Sequence, residues 1–549
     1  MKKDVSDCLP DCDSEIYCRG ELLHDVQISR IFNDGTTFVQ KRLLYPEKQI
    51  VEKYKKLKKD TGRTPSSEQL LKFVNENFAN DSLISVDFPD FNPNPSILNK
   101  IKSEKYKKWL IWLNNRWLEL GGRLHDDIKI NPDLHSYLYI PNAFIKAGGR
   151  FTETYYWDSY WIVRGLLLCD MHDTARGIIE NILYLVNQYG HMPNGNRKFY
   201  LQRSQPPMLI QMAAFYYEHT KNSTFIKTNL PTFAKEFQFW NEHRSVKFEK
   251  GSKLYKMFRY KSLSCDPRPE SYYKDYDLVK NLSSPELRMH VFTGIRSAAE
   301  SGWDFSSRHM RNPQNSIHDK TERSLLDMDP MNMIYVDLNS IIYSNLIYLS
   351  EWHKMFEYFE KATKYEKQAN DLLEAIEEVL WNEKIGIWLD YDLITEKSRN
   401  YFYGSNMVPL AVNAYKKKEY ISRVINYFET QEIINEDMTF KYYCVPSSMI
   451  NTTEQWDYPN CWAPLEGFII AGFQKTDDPN AKSLAFNLVQ QWIKTTYAGF
   501  HNASDMFEKY NAIVLGKSGS GGEYAPQTGF GWTNGLVIDI LDRWGYKLD

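Results

Sequence analysis

The sequence predicts an all-α protein, a toroid of six helical hairpins whose long loops gather at one end around a pocket. Three observations carry that expectation. From about residue 101 onward the apolar residues recur at helical spacing, and twelve such segments follow one another as antiparallel pairs would. Alternation of the strand type is scarce. The links alternate between short turns and long stretches rich in Gly, Asn, Ser, Trp and Arg, and function concentrates on loops that a rigid scaffold holds.

Taken in order, residues 1–100 read as an arm wrapped on the main body. The arm has a short helix at 67–77 and a Pro/Asn/Asp-rich stretch at 88–95. Residues 101–549 read as the toroid and catalytic domain. Helices are predicted there at 101–120, 158–169, 174–189, 207–219, 232–244, 333–352, 354–381, 407–415, 418–429, 463–473, 481–496 and 532–544. A short strand fits 384–389. The long connections are 139–157, 190–206, 260–273, 294–310, 400–406, 451–464 and 501–531. No repeat is visible at the level of residues.

Composition narrows the function. The 549 residues are 42% hydrophobic and 25% charged, ordinary for a globular chain able to bury a large core. Aromatic residues make up 15%, and sugar-binding clefts stack pyranose rings on flat apolar faces. Net charge is -3 with no dominant basic patch, which argues against a nucleic-acid partner. The Lys53–Lys59 and Lys416–Lys418 runs read as solvated faces. No stretch of eighteen apolar residues exists to span a membrane.

Met1–Asp7 begins like the charged start of a signal peptide, but no apolar segment follows. Either the protein is cytosolic or this is a mature secreted form. Seven Cys show no CxxC pair and no metal-ligand spacing. A local disulfide among Cys8, Cys12 and Cys18 is expected in an oxidising compartment, with the pair left open. Asn80, Asn222, Asn281, Asn451 and Asn502 head glycosylation tripeptides.

The most informative loop is Glu300-Ser-Gly-Trp-Asp304-Phe-Ser-Ser-Arg308. It sets Asp304 between two large rings. A carboxyl against aromatic surface tends to keep its proton, and cleavage of a glycosidic bond requires an acid that protonates the leaving oxygen. Pairing of a partly buried Asp304 with Arg308 is the plainer alternative. The second carboxylate that such chemistry needs is best supplied by Glu508, whose neighbours Lys509 and Tyr510 can favour its ionised form. A helix-end Glu–Lys pair is the alternative there.

Three further loops offer arginines in stiff settings: Gly148-Gly-Arg150-Phe, Arg203-Ser-Gln205-Pro-Pro and Pro267-Arg268-Pro-Glu270. Converging guanidiniums grip hydroxyls and orient carboxylates. The loop from Gln455 to Pro464 combines rings with amide and acid side chains. Gly519-Ser-Gly-Gly-Glu523-Tyr524 is flexible enough to cover a pocket. It has no P-loop Lys, and no HExxH or GxSxG pattern occurs.

Together these loops resemble the trehalases of glycoside hydrolase family 37. The family's first signature is matched by Ala147-Gly-Gly-Arg-Phe-Thr-Glu-Thr-Tyr-Tyr-Trp-Asp-Ser-Tyr160, with Ala147 in place of the usual Pro. The second is matched by Gln455 to Pro464, with Cys461 at a small-residue position. Pro193 to Arg197, Arg203 to Pro207, Arg268 to Ser271, Glu300 to Arg308, Val336 to Asn339 and Gly529 to Asn534 also match. The resemblance runs from about Val26 to Trp544. Near the start, Asp34-Gly-Thr-Thr-Phe38 carries Thr36 where the family has Lys, a change expected to touch only a peripheral contact. The segment from Cys8 to Gln27 is similar to that of secreted animal enzymes, insect ones especially.

The resemblance implies an (α/α)6 barrel, no metal or other cofactor, and hydrolysis of the disaccharide α,α-trehalose to two glucoses with inversion. It puts Asp304 on the general acid and Glu508 on the general base. Arg150, Arg203 and Arg268 fall on the pocket arginines. Phe151, Trp157, Asp158, Asn194, Gln205, Glu270, Gly302, Trp456, Glu523, Phe530 and Trp532 fall on sugar-contacting or pocket-lining places. A secreted monomer or weak dimer is expected, with Asn502 unglycosylated because sugar there would crowd the pocket. A catalytically silent sugar-binding protein and a different α-glucosidase are the alternatives.

Overall fold

The structure, a computed structural model, describes residues 8–313 and 322–549. The Met1–Asp7 stretch considered above lies outside them. In chain order the helices that build the ring and its additions are α1 (Glu21–Ser29), α2 (Glu47–Thr61), α3 (Ser67–Asn77), α4 (Glu104–Leu120), α5 (Asp158–Leu168), α6 (His172–Tyr189), α7 (Leu209–Thr220), α8 (Ser223–Phe239), α9 (Tyr272–Val279) and α10 (Pro285–Glu300). They continue with α11 (Val336–Met355), α12 (Phe359–Ala375), α13 (Val408–Ala411), α14 (Tyr420–Thr430), α15 (Ala463–Lys475), α16 (Pro479–Ala503) and α17 (Gly531–Trp544).

From α4 onward, with α9 and α10 set aside as an insertion, outer and inner helices alternate. The inner ones, α5, α7, α11, α13, α15 and α17, each pack on the next, and α17 packs back on α5, which closes the ring. The outer helices lean on them: α4 on α17, α6 on α5, α8 on α7, α12 on α11 and α16 on α15, while α14 rests on α16. This is the (α/α)6 toroid. An inner helix is surrounded by protein, so its sequence is apolar nearly all round. In α5 every residue from Asp158 to Leu168 is buried except Tyr160. The outer helices keep one polar face. In α12 only Ala362, Ala369, Leu372, Leu373 and Ala375 are buried.

Each of the twelve predicted helical segments corresponds to one helix of the ring, and the differences have local causes. The segment predicted from 232 begins at Ser223, because the Asn222 side chain caps Phe225 N–H and the helix runs on through Pro231. The segment predicted at 354–381 starts only at Phe359, after a turn in which Glu357 takes a φ of 64°. The one predicted at 407–415 shrinks to Val408–Ala411, and α16 extends to Ala503. A hairpin of β1 (Ser245–Lys250) and β2 (Lys253–Phe258) was not anticipated. The strand expected at 384–389 is the pair Ile387–Trp388 against Trp381–Asn382. Helix α10 is not among the predicted segments, and its last seven residues, 294–300, fall in the connection predicted at 294–310. Its start was legible, since Ser284 caps Leu287 N–H and Pro285 occupies the first turn.

The N-terminal residues are more regular than expected. Helices α1, α2 and α3 build a small core around Leu23, Val26, Phe38, Ile50, Leu70 and Val74, which closes on Phe199 and Tyr200 of the toroid. A capping box between Ser66 and Gln69 starts α3 at the predicted residue. The disulfides are Cys12–Cys18, Cys8–Cys265 and Cys444–Cys461, with Cys169 free and buried. Thus one N-terminal disulfide is local, while Cys8 reaches across the fold.

Candidate active site

The pocket lies where α5, α15 and α17 begin, and spans about 970 Å³ of empty space with the solvent at its mouth included. Both predicted carboxyl residues and all fourteen predicted sugar-binding residues line it. Six of the seven long loops contribute. The seventh, 400–406, stays behind the wall, where Tyr403 packs edge-on to Trp303 at 6.3 Å.

Asp304 follows the end of α10, and its flanking rings, Trp303 and Phe305, are fully buried. Trp303 stacks on Trp456, which stacks on Trp462 at 4.0 Å, so the acid rises from a three-ring pile. Burial pushes the Asp304 carboxyl up to about 7. Arg268 and Arg203 favour its ionised form and Glu523 opposes them. The pairing with Arg308 does not occur. Arg308 turns into the core and forks onto Asp337 (2.8 and 2.9 Å) and Asp390 (2.8 and 3.2 Å). Asp457 holds the loop in place by accepting from Ser306 Oγ, Ser307 N and Ser307 Oγ at 2.7–2.9 Å. Gln455 Nε2 donates to the Asp304 carbonyl at 2.5 Å.

Glu508 sits just before β4 (Lys509–Asn511), which pairs antiparallel with β3 (Asn460–Trp462). Its Oε1 accepts from the Tyr524 hydroxyl at 2.7 Å and its Oε2 from Gln527 N–H at 3.3 Å. The expected partner Tyr510 is engaged elsewhere: its hydroxyl accepts Phe507 N–H at 3.2 Å. Burial raises the Glu508 carboxyl above the ordinary range, whereas Lys509, Tyr524, Gln527 and Arg150 act in the ionising direction. Asp158, at the start of α5, is pushed up to about 8, first by burial and further by the charges of Glu508 and Asp304. Burial therefore favours the neutral form of these three pocket carboxyls.

Every pocket arginine has a carboxylate partner. Arg203 pairs with Glu270, Arg268 with Asp275 (2.7 Å) and Glu523 (3.0 Å), and Arg150 with Asp34 (2.9 Å). Such pairs fix the guanidinium planes. Arg203 Nη1 and Glu270 Oε2 are buried without a protein partner, and both residues face the pocket. Gln205 Oε1 accepts from Trp157 N at 3.1 Å, and Asn194 Oδ1 lies 3.5 Å from Arg203 Nε. Trp532 meets Trp157, Trp456 and Trp462 edge to face, and Phe151 does the same to Phe530. Gly302 has a φ of 81°, and a Cβ there would meet the Trp157 ring at 2.7 Å.

The sequence reading missed part of the wall. Asp34, Thr36 and Gln40 reach the pocket from the N-terminal segment, Tyr155 and Tyr524 from loops, Tyr273 and Lys274 from the first turn of α9, and Trp462 from the strand Asn460–Trp462. Thr36 is therefore a wall residue rather than a peripheral one. Tyr524 had a signal, its place beside Glu523, and Asp34 and Thr36 had one in the motif they share with the family; Gln40 had none, because long-range packing alone brings it there. Asn502 is exposed in the last turn of α16 and does not line the pocket, so the crowding argument against a glycan fails. Among the described residues, possible metal ligands cluster only at Cys444, Cys461 and Glu466, and the two sulfurs are joined in a disulfide.

A ring of helices around a deep pocket furnished with carboxyls, paired arginines and flat rings defines a glycoside hydrolase of the helical-toroid class. Comparison with known proteins narrows that class. The family model named Trehalase matches residues 30–545. The chain is 39% identical to trehalase from Apis mellifera over 98% of its own length and 85% of that protein's. It is 38% identical to trehalase from Homo sapiens, over 98% and 91%. Among solved structures, neutral trehalase from Saccharomyces cerevisiae superposes with a TM-score of 0.59 at 22% identity, covering 73% of each chain. The chain belongs to the trehalase family.

Proposed function

We propose that the chain hydrolyses α,α-trehalose to two glucoses by inversion, with Asp304 as acid and Glu508 as base. The observation that carries this reading is that Asp304 and Glu508, far apart in the sequence, line one pocket together with all the expected sugar-binding residues. Asp304 gives its proton to the bridging oxygen as the C1–O bond breaks. Glu508 takes a proton from a water whose oxygen bonds to that anomeric carbon from the opposite face. One glucose leaves as the β anomer and the other as the α anomer. A carboxyl held near 7 is still largely protonated in mildly acidic solution, as a donor must be. Arg150, Arg203 and Arg268, held by their carboxylate partners, would orient the hydroxyls.

Glucose release followed by proton NMR tests this. Equal initial amounts of the two anomers are expected; α anomer alone would mean retention. A silent sugar-binding protein would release no glucose at all, and activity on maltose rather than trehalose would point to another α-glucosidase. We further propose that the first hundred residues act as an arm on the catalytic toroid. The working compartment is proposed to be extracellular and oxidising, and the working state a monomer or weak dimer. The three disulfides support that compartment, as do the exposed Asn80, Asn281, Asn451 and Asn502. No helix among the described residues is long and apolar enough to cross a membrane.

A further inference from the structure

Inverting hydrolysis needs Asp304 protonated and Glu508 ionised at the same moment, yet burial drives both carboxyls toward the neutral form. Something must treat the two differently. Lys509, adjacent to the base, has the required geometry. It is completely buried. Its ammonium donates to Gln455 Oε1 at 2.6 Å and to the Gly521 carbonyl at 3.2 Å, both neutral oxygens. It also lies over the rings of Trp462 and Tyr524, at 5.1 and 5.5 Å from their centres. Burial works against its charge, which is upheld foremost by Glu508 and only then by Asp304.

The hydrogen bond to Gln455 does more than hold the ammonium. With Oε1 taken, Gln455 must present its NH2 group the other way, toward the Asp304 carbonyl (2.5 Å) and the Tyr524 hydroxyl (3.4 Å). Tyr524 in turn donates to Glu508 Oε1. One cation therefore sets the direction of a chain of hydrogen bonds that spans both carboxyl-bearing loops. The Gly521 contact ties the glycine-rich loop to the same point.

We propose that Lys509 is the positioning residue that keeps Glu508 ionised while Asp304 holds its proton, and that it does so in part by orienting Gln455. The proposal rests on the acid–base assignment above. The other charged or titratable groups acting on Glu508 are Arg150, Tyr524 and Asp158. Arg150 already faces Asp34. The Tyr524 hydroxyl is held in its neutral form by burial, and Asp158, pushed up to about 8, is neutral below that pH. Arg268, the cation foremost at Asp304, is countered there by Glu523.

The test is the pH dependence of kcat/KM for trehalose, whose acid limb reports the base of the free enzyme. Lys509→Gln keeps a hydrogen-bond donor and removes the charge. Its acid limb is expected to move up by about one pH unit or more, the size of effect a nearby opposite charge exerts. Lys509→Arg is expected to bring the limb back. Gln455→Met, which leaves the cation in place, is expected to lower kcat without moving the limb. A wild-type limb in Lys509→Gln would overturn the electrostatic role, and full kcat in Gln455→Met would overturn the orienting one. Should Lys509→Gln fail to fold, Gln455→Met still decides the second. Glu508→Gln, assayed alongside, separates the failures: normal hydrolysis there would remove the base assignment itself.

Discussion

Holding an acid protonated near neutrality costs stability, and the cost can be measured at Asp304. The carboxyl titrates at about 7 in the fold against an ordinary 3.8. Between these values the unfolded chain has released its proton and the folded chain has not. Stability contributed by the bound proton is fully present below pH 3.8 and is lost as pH rises through 7. At about 1.36 kcal/mol per pH unit the full loss is about 4 kcal/mol. Water reaches the half-buried carboxyl through the pocket mouth, which lowers the expectation to about 2 kcal/mol. Asp304→Asn has the same shape and cannot ionise, so it escapes the loss. At about 2.1 cal/mol/K per residue, a chain of this length has an unfolding entropy near 1.2 kcal/mol/K, so the variant should melt about 2 °C above wild type at pH 8. At pH 3.5 the two should melt together. The assay is differential scanning calorimetry at one scan rate across that range. A gap that is the same at both pH values, or a wild type that gains on the variant as pH rises, would refute the reasoning.

Three further outcomes follow from the site. Asp304→Asn should lose about 10²- to 10⁴-fold in kcat while trehalose still binds, read by turnover and by calorimetric titration; normal turnover would exclude Asp304 as the acid. Arg308→Met leaves Asp337 and Asp390 buried without their shared cation, and should cost about 3–5 kcal/mol in chemical denaturation. Gly302→Ala must seat a Cβ at a left-handed φ against the Trp157 ring; a loss of about 2–4 kcal/mol with a raised KM is expected, and an unchanged KM would show that the ring does not shift.

The helices of the ring were legible because an inner helix must be apolar nearly all round and an outer one striped, and both patterns survive in sequence. Helix α10 was not, because the part from Val291 to Glu300 is buried all round yet includes Thr293, Gly294, Arg296, Ser297 and Glu300, which break the apolar pattern. Arg296 looks like a surface residue until its partners appear, Asp11 and the carbonyls of Asp266 and Pro267. In the pocket, Asp304 could be read as a candidate acid from its flanking rings together with the other loops. Its cation could not: Arg308 is four residues away in sequence but faces Asp337 and Asp390, while Arg268 comes from another loop. Tyr510 and Tyr524 show the same limit at Glu508. Adjacency in sequence suggested the wrong hydroxyl, and the strand pairing that turns Tyr510 away is a tertiary fact.

The ring closes on its final helix. Helix α17 packs between α15 and α5 and brings Trp532 into the pocket, while Asp34 and Thr36 arrive from the opposite end of the polypeptide. A chain still leaving the ribosome thus has its acid and arginines made but its cavity unwalled. Cleavage of sugar is expected only once α17 has emerged, and a chain that stops between Glu508 and Gly531 carries both carboxyls yet has no finished room in which to use them.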